Sequence, residues 1–216
     1  MQTPDALLLV SPGCTHCPVV LEGLGNLLKS GRLGRLEVIN ILAHPEAAQQ
    51  VGTRSVPWCR IGPFELEGVH TATELDQWVK HAAQGTGLGE YYSYLLETQR
   101  PHKVTSAITR NPSSLSILLT LLELRDTPMA TRIGIGVVLE DMQGSSILHH
   151  ALPTLRHLAH AKEANIRADT AHYLSLIQNS EAGEILQQLL HDEHPDVREI
   201  AAESLAQINP SKMRNP

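Results

Sequence analysis

Three stretches in the C-terminal half of this 216-residue chain share one pattern: an arginine, a small residue four positions later and a leucine seven positions later. The copies begin at Arg132, Arg167 and Arg198. Each follows another apolar helical pattern, and these patterns occupy residues 115–124, 147–158 and 185–190. Helical hairpins with such a period stack on their neighbours, because a single hairpin leaves its apolar face exposed. The second half is therefore predicted to be an all-α stack of hairpins.

The first 85 residues follow a different pattern, in which short apolar runs alternate with helical periodicity. The runs at 6–10 and 36–41 predict strands, with a helix over 19–28 between them. A short helix, two β-like segments and a last helix follow; the segments are predicted at 45–51, 58–61, 64–67 and from about residue 71. The order is β-α-β-α-β-β-α, and its β-α-β opening requires a parallel pair of strands.

Three glycines within residues 85–89 indicate a linker between these two patterns. The predicted organisation is an α/β domain over 1–85, a linker with irregular helices over 86–112 and helical repeats over 113–216. Each of the two outer segments is long enough for a small domain.

Charge and composition limit the classes of partner. The formal net charge is −6, which argues against a nucleic-acid backbone or an anionic membrane surface as the main partner. No signal peptide or membrane-spanning stretch is recognised, so we expect a cytoplasmic protein. Three cysteines are too few for a disulfide scaffold.

Two of the cysteines lie where the first predicted strand gives way to the first helix. A helix N-terminus offers unpaired N–H groups and a partial positive charge, which favour a thiolate. Cys14 is predicted in the first helical turn as the nucleophile. Cys17 is predicted deeper on the same face, where it can form or resolve a disulfide. His16 is a candidate for tuning the pKa of Cys14.

A metal site is the alternative interpretation of this cysteine pair. Structural zinc normally needs four ligands, and the only other cysteine, Cys59, is predicted in a different strand as a small core residue. Metal handling by Cys14, Cys17 and nearby histidines stays a minor alternative. We predict no metal and no bound cofactor, only a redox-active Cys14–Cys17 disulfide.

Residues 5–84 resemble the thioredoxin/glutaredoxin family, and especially the small glutaredoxin-like thioredoxins of bacteria and archaea. The resemblance is carried by Cys14-Thr-His-Cys17 and by Gly52-Thr-Arg-Ser-Val-Pro57, followed by the predicted hairpin and amphipathic helix. It implies a thioredoxin fold with a cis bond before Pro57, close to the cysteine pair. It also implies that the backbone of Val56 pairs with a substrate chain.

Two residues depart from thioredoxin itself. Leu8 stands where thioredoxin has a buried aspartate that handles the proton of the second cysteine. Trp58 follows the proline at a position where threonine is common. Two interpretations of Trp58 stay open: an apolar substrate contact near Cys14, or a strand residue that covers the sheet.

Residues from about 113 to 208 resemble HEAT repeats, in which a turn aspartate precedes the arginine of the second helix by six residues. Asp126 and Arg132 keep this spacing, as do Asp192 and Arg198. Ala161 stands at the matching position before Arg167, which predicts that the middle repeat lacks its turn contact. The resemblance implies a protein partner on the helical surface, and a homodimer is possible.

Together the two halves predict a cytoplasmic thiol–disulfide oxidoreductase that acts on a protein disulfide and selects its partner through the helical repeats. The alternative is a scaffold or redox-sensing protein-binding module with a non-catalytic cysteine pair. Binding that is independent of Cys14 and of redox state would distinguish the alternative from the enzyme.

Overall fold

The computed structural model describes residues 3–124 and 126–208, and its internal contacts divide the chain after Gly87 into two compact units. The first unit has the predicted element order. Its strands and helices are β1 (Asp5–Val10), α1 (Cys17–Lys29), β2 (Arg35–Asn40), α2 (Pro45–Val51), β3 (Trp58–Ile61), β4 (Phe64–Glu67) and α3 (Ala72–Gln84). The strands form one mixed sheet in the order β2-β1-β3-β4, in which only β1 and β2 are parallel.

The central strand β1 is the apolar centre of this unit. Leu8 and Leu9 are both fully buried, although successive strand residues point to opposite faces. Helices α1 and α3 contact each other and pack on the strands, so they cover the face of Leu8. Leu9 is buried on the other face. Leu7 lies on that same face, and its neighbours on the adjacent strands, Arg60 and Glu37, are exposed. That face is therefore covered only towards the end of β1 that leads to the cysteine pair.

The second unit is helical, and its described residues contain no strand. Its α-helices are α4 (Leu88–Glu97), α5 (Pro101–Arg110), α6 (Leu115–Thr120), α7 (Met129–Asp141), α8 (Leu152–Leu158), α9 (Ala164–Ile177), α10 (Ser180–Leu189) and α11 (Pro195–Ile208). Helices α4 and α5, which fill most of the stretch 86–112, are regular and pack on α7. Successive second helices of the hairpins also meet, α7 with α9 and α9 with α11.

The first helices of two hairpins differ from the prediction, because each is partly a 3-10 helix. Leu121–Glu123 continues α6 as a 3-10 turn, and Ser146–Ala151 precedes α8 as another. Pro153 lies in the first turn of α8 and has no N–H to donate to a residue one α-turn earlier. The α-helix therefore begins only at Leu152 rather than near residue 147.

The repeated arginines bind the backbone of the turn before their own helix. Arg167 Nη1 donates to the carbonyls of Ala161 and Lys162 at 2.9 and 3.0 Å. Arg198 Nη1 makes the same pair of bonds, to Asp192 and Glu193, at 2.8 and 3.0 Å. These carbonyls follow the first helix of each hairpin and need donors, which explains the recurrence of arginine at this position.

The predicted loss of a turn contact in the middle repeat is wrong. Arg167 keeps both carbonyl bonds, because they use backbone atoms and do not depend on an aspartate. Its guanidinium also makes a two-pronged ion pair with Asp192 of the next turn, at 2.7 and 2.8 Å. Both side chains are only 8% exposed. The turn aspartate thus pairs with the arginine of the preceding repeat, so the ladder connects neighbouring hairpins.

The preceding connection in this ladder has no aspartate, because Ala161 occupies the position that matches Asp192. Arg132 donates through Nη2 to the carbonyls of Leu122 and Leu124. Its Nη1 is buried without a hydrogen-bond partner among the described residues. A buried donor without an acceptor lowers stability.

We therefore expect Ala161→Asp to raise the free energy of unfolding by about 1 kcal/mol, by supplying a charged acceptor to Arg132. Urea denaturation measures the change. Ala161→Asn is the matched control, because it keeps the local capping ability without the charge. An equal gain from Ala161→Asp in an Arg132→Met background would contradict the proposed pairing.

Candidate thiol–disulfide site

Cys14 and Cys17 form a disulfide at the junction of β1 and α1, with their Cα atoms 5.5 Å apart. After β1 the chain makes a turn, in which the N–H of Cys14 donates to the carbonyl of Ser11 at 3.0 Å. Pro12 supplies the fixed φ that suits the second position of such a turn. The turn leads directly into α1, so a strand and a helix hold the two ends of the disulfide segment.

Helix α1 begins at Cys17, and the prediction that Cys14 lies in its first turn is wrong. The amide of Cys14 is used by the preceding turn, and Pro18 occupies the first helical turn, where a missing N–H costs nothing. The electrostatic reason for the prediction nevertheless applies. The N–H of Cys17 donates to Cys14 Sγ at 3.1 Å. The Cys14 sulfur therefore contacts an N–H of the helix N-terminus, which would favour its thiolate after reduction.

The two sulfur-bearing residues differ in accessibility. Cys14 is half-buried, whereas Cys17 is buried at 5% exposure. The prediction that Cys17 lies deeper is confirmed. A reagent that approaches from solvent therefore reaches Cys14 first, and Cys17 lies behind Cys14 on the side of the protein interior.

His16 separates the pair in sequence and is exposed. It stands at the N-cap position of α1, but its side chain makes no capping hydrogen bond. Its predicted role in tuning the pKa of Cys14 stays a prediction.

The Val56–Pro57 peptide bond is cis, as the resemblance implies. Because β1 and β3 are antiparallel with Leu9 opposite Trp58, the start of β3 and the end of β1 lie at the same end of the sheet. Pro57 and the cysteine pair therefore belong to one end of the sheet. Pro57 is buried and accepts a hydrogen bond from the N–H of Gly68 at 2.9 Å, while Val56 is half-buried.

Trp58 does not offer a substrate contact, because its side chain is fully buried. The interpretation as a residue that covers the sheet is the correct one. Trp58 pairs with Leu9 in the part of the second face that is covered, and there it fills the interior. Its Nε1 has no hydrogen-bond partner among the described residues.

Cys59 is a core residue, as predicted, with 1% exposure. It is not in a disulfide, and desolvation by burial raises the pKa of its thiol to about 12. At neutral pH it is a buried thiol, in contrast to the disulfide-bonded pair, of which Cys14 is partly exposed.

His70 was not singled out from the sequence, yet it is a buried titratable residue at this end of the sheet. It follows β4 after Gly68 and Val69, is 8% exposed, and has Nδ1 3.9 Å from Glu74 Oε2. The next residue, Thr71, is the N-cap of α3 and forms a reciprocal capping box with Glu74. The sequence predicts a helix from about residue 71, but it does not predict the burial of the histidine, which depends on packing.

Neither a metal centre nor a membrane span is found in the part of the chain that the structure describes. There, no three His, Cys, Asp or Glu side chains are grouped so as to hold a metal ion. No helix among the same residues is long and apolar enough to cross a membrane.

Comparison with known families matches residues 115–206 to HEAT repeats. The match spans α6 to α11 and includes all three repeated arginines. No curated protein matches the chain. HEAT repeats are helical modules that commonly bind other proteins, and residues 115–206 of this chain are similar to them.

Proposed function

We propose that this protein is a thiol–disulfide oxidoreductase with a thioredoxin fold, and that its HEAT-repeat unit selects the protein on which it acts. The observation that carries the proposal is the disulfide at the start of α1. One of its sulfurs is accessible and contacts an N–H of the helix N-terminus, and the other is buried behind it. This is the arrangement needed for an attacking and a resolving thiol.

The surrounding elements support the thioredoxin fold. The order β-α-β-α-β-β-α, the strand order β2-β1-β3-β4 and a cis-proline before β3 all agree with the resemblance drawn from the sequence. Val56, just before this proline, is half-buried at the same end of the sheet as Cys14, where its backbone would align a substrate strand.

In the reducing direction, both cysteines begin as thiols. The Cys14 thiolate attacks one sulfur of a target disulfide, forms a mixed disulfide and releases the other target sulfur as a thiolate, which takes up a proton. The Cys17 thiol then loses its proton and attacks Cys14 Sγ, which releases the second target sulfur. Two electrons pass to the target, and a dithiol reductant of the cell must reduce the Cys14–Cys17 disulfide again.

The absence of the thioredoxin aspartate affects the second step. Leu8 occupies that position, and its hydrocarbon side chain can accept no proton from Cys17. The proton of Cys17 must leave by another group or by water. We accordingly expect a slower resolving step than in a thioredoxin that keeps the aspartate.

A redox titration tests the proposal. The protein is equilibrated in glutathione buffers of defined potential, trapped by thiol alkylation and weighed by mass spectrometry. We expect Cys14 and Cys17 to gain or lose labels together as one two-electron couple. Cys59 is the internal reference, because its buried thiol should be labelled only after unfolding.

The midpoint potential fixes the direction. A value of about −270 mV indicates a reductant and one of about −120 mV an oxidant. A pair that never closes, or closes irreversibly, would contradict the catalytic proposal.

The HEAT match favours a second candidate, a binding protein whose cysteine pair is not catalytic. It requires that a partner bind equally to the oxidised protein, the reduced protein and Cys14→Ser. Failure of the redox titration together with such binding would establish this candidate instead.

A further inference from the structure

The second helices of the three hairpins lie side by side and can be compared position by position. Helix α7 packs on α9, and α9 packs on α11. The repeated residues Arg132, Arg167 and Arg198 mark equivalent positions in the sequence, and each donates to backbone carbonyls that precede its helix. Equivalent positions after these arginines therefore point in similar directions along one surface of the stack.

An apolar stripe runs along α7 on this surface. Met129, Ile133 and Val137 are 70%, 63% and 44% exposed. They are spaced by four residues, so they lie one above another on the helix. Single exposed hydrophobic residues are ordinary, but three in line on one helix form a continuous apolar surface of the kind that binds a partner.

The equivalent positions change in chemistry from helix to helix. The residues one and five places after the repeated arginine are Ile133 and Val137 on α7, Ala168 and His172 on α9, and Glu199 and Glu203 on α11. On α9 Ala168 is buried, so His172 is the member of this pair that reaches the surface between the other two helices. Both glutamates are exposed. At the boundary of α7 and α9, His172 Nε2 lies 3.2 Å from Glu140 Oε1, so a carboxylate also follows the apolar stripe on α7.

The arginines near this surface do not cancel its charge where the glutamates lie. Arg132 and Arg198 point to the turns at the starts of their helices, where they donate to backbone carbonyls. The surface thus has an apolar side on α7 and an acidic side on α11.

We propose that this surface, formed by Met129, Ile133, Val137, Glu199 and Glu203, binds a protein segment that carries apolar residues beside lysine or arginine. Apolar side chains of the segment cover the stripe on α7, and its basic side chains face the two glutamates. Both properties of the segment follow from complementarity with the surface. A purely apolar segment would match only the side on α7, and an acidic segment would match neither side. The proposal builds on the binding role of the helical unit and is independent of the redox chemistry.

Peptide binding to the full chain carrying Cys14→Ser and Cys17→Ser tests this inference without thiol exchange. The probe is a fluorescein-labelled 20-residue peptide with leucines in one half and lysines in the other, so that it can contact α7 and α11 together. A second peptide has glutamate in place of every lysine. Fluorescence anisotropy should show at least about tenfold tighter binding of the lysine peptide, with an affinity that falls as salt is added.

Two variants locate the binding surface. Ile133→Glu and the pair Glu199→Lys/Glu203→Lys should each weaken binding of the lysine peptide by about tenfold or more. Glu184→Lys is the matched control, because it reverses one exposed charge on α10, a first helix of its hairpin. Its affinity should stay within about twofold of the parent protein. Circular dichroism verifies that each variant remains helical.

Several results would overturn the inference. These are no binding of the lysine peptide, equal binding of the glutamate peptide, or equal effects of Glu184→Lys and the two surface variants. Sedimentation equilibrium supplies another: a dimer that Ile133→Glu dissociates would show that a second copy covers the stripe. None of these results affects the redox titration, so failure of either proposal is recognised separately.

Discussion

Arg167→Met is expected to lower the free energy of unfolding by about 3–5 kcal/mol, because it leaves the buried Asp192 carboxylate without its guanidinium. The substitution also removes both hydrogen bonds to the turn carbonyls of Ala161 and Lys162. Methionine retains much of the apolar volume of the arginine stem, so the loss reports mainly on the polar contacts. Urea denaturation followed by circular dichroism measures it.

Arg198→Met is the matched control for this prediction. Arg198 makes the same two turn bonds at an equivalent position but is exposed, and its described hydrogen bonds go to backbone carbonyls. We expect it to cost about 1 kcal/mol. Equal losses for the two arginines would contradict the importance of the Arg167–Asp192 pair.

The same pair predicts a pH dependence. Hydrogen bonds from Arg167 are the main cause that lowers the pKa of Asp192 below its ordinary value. A carboxylate with a lowered folded-state pKa contributes stability above its unfolded-state pKa of about 3.9 and loses it as the pH falls through the folded-state value. The difference in stability between the parent protein and Arg167→Met should therefore shrink below about pH 4.

The second large effect concerns the cysteines. Reduced Cys17→Ser, mixed with a disulfide protein such as insulin, should accumulate a mixed disulfide at Cys14, because no thiol remains nearby to release it. Cys14→Ser should form no such adduct and should reduce the substrate only at the uncatalysed rate. Non-reducing electrophoresis and peptide mass mapping distinguish the two variants.

Cys59→Ser is the matched control, because it removes the thiol that is buried away from the accessible pair. It should turn over the disulfide substrate like the parent protein, provided that circular dichroism shows a folded chain. An adduct at Cys17 in Cys14→Ser, at a rate equal to that of Cys14 in Cys17→Ser, would reverse the proposed roles. No adduct in either variant would argue against catalysis.

Local patterns predicted most of the first unit. Short apolar runs bounded by turn residues located all four strands, and the hairpin bounds at 58–61 and 64–67 agree with β3 and β4. Helix periodicity located α1, but not its start, because Pro18 and the turn that ends at Cys14 together decide where the first helical residue lies. The spacing of the cysteines was enough to predict that Cys14 and Cys17 lie close enough to form a disulfide and that Cys17 lies deeper.

Packing across the sheet was not predictable in the same way. The position of Trp58 just after the proline left both exposure and burial possible, and its burial depends on what covers the second face near Leu9. Likewise, the repeat spacing predicted the arginines and aspartates but assigned Asp192 to the wrong arginine. The pairing with Arg167 spans 25 residues and depends on how the hairpins stack.

The lack of an aspartate at position 161 leads us to expect segments of unequal cooperativity in the helical unit. The hairpins joined by Arg167 and Asp192 share a buried ion pair, so opening one disrupts the other. The boundary between α7 and α9 lacks the matching ion pair. We therefore expect the helices on its two sides to open more independently, as separate cooperative segments in amide hydrogen exchange. A partner that contacts both α7 and α11 would couple these segments. Its binding should then increase protection from hydrogen exchange on both sides of the boundary between α7 and α9.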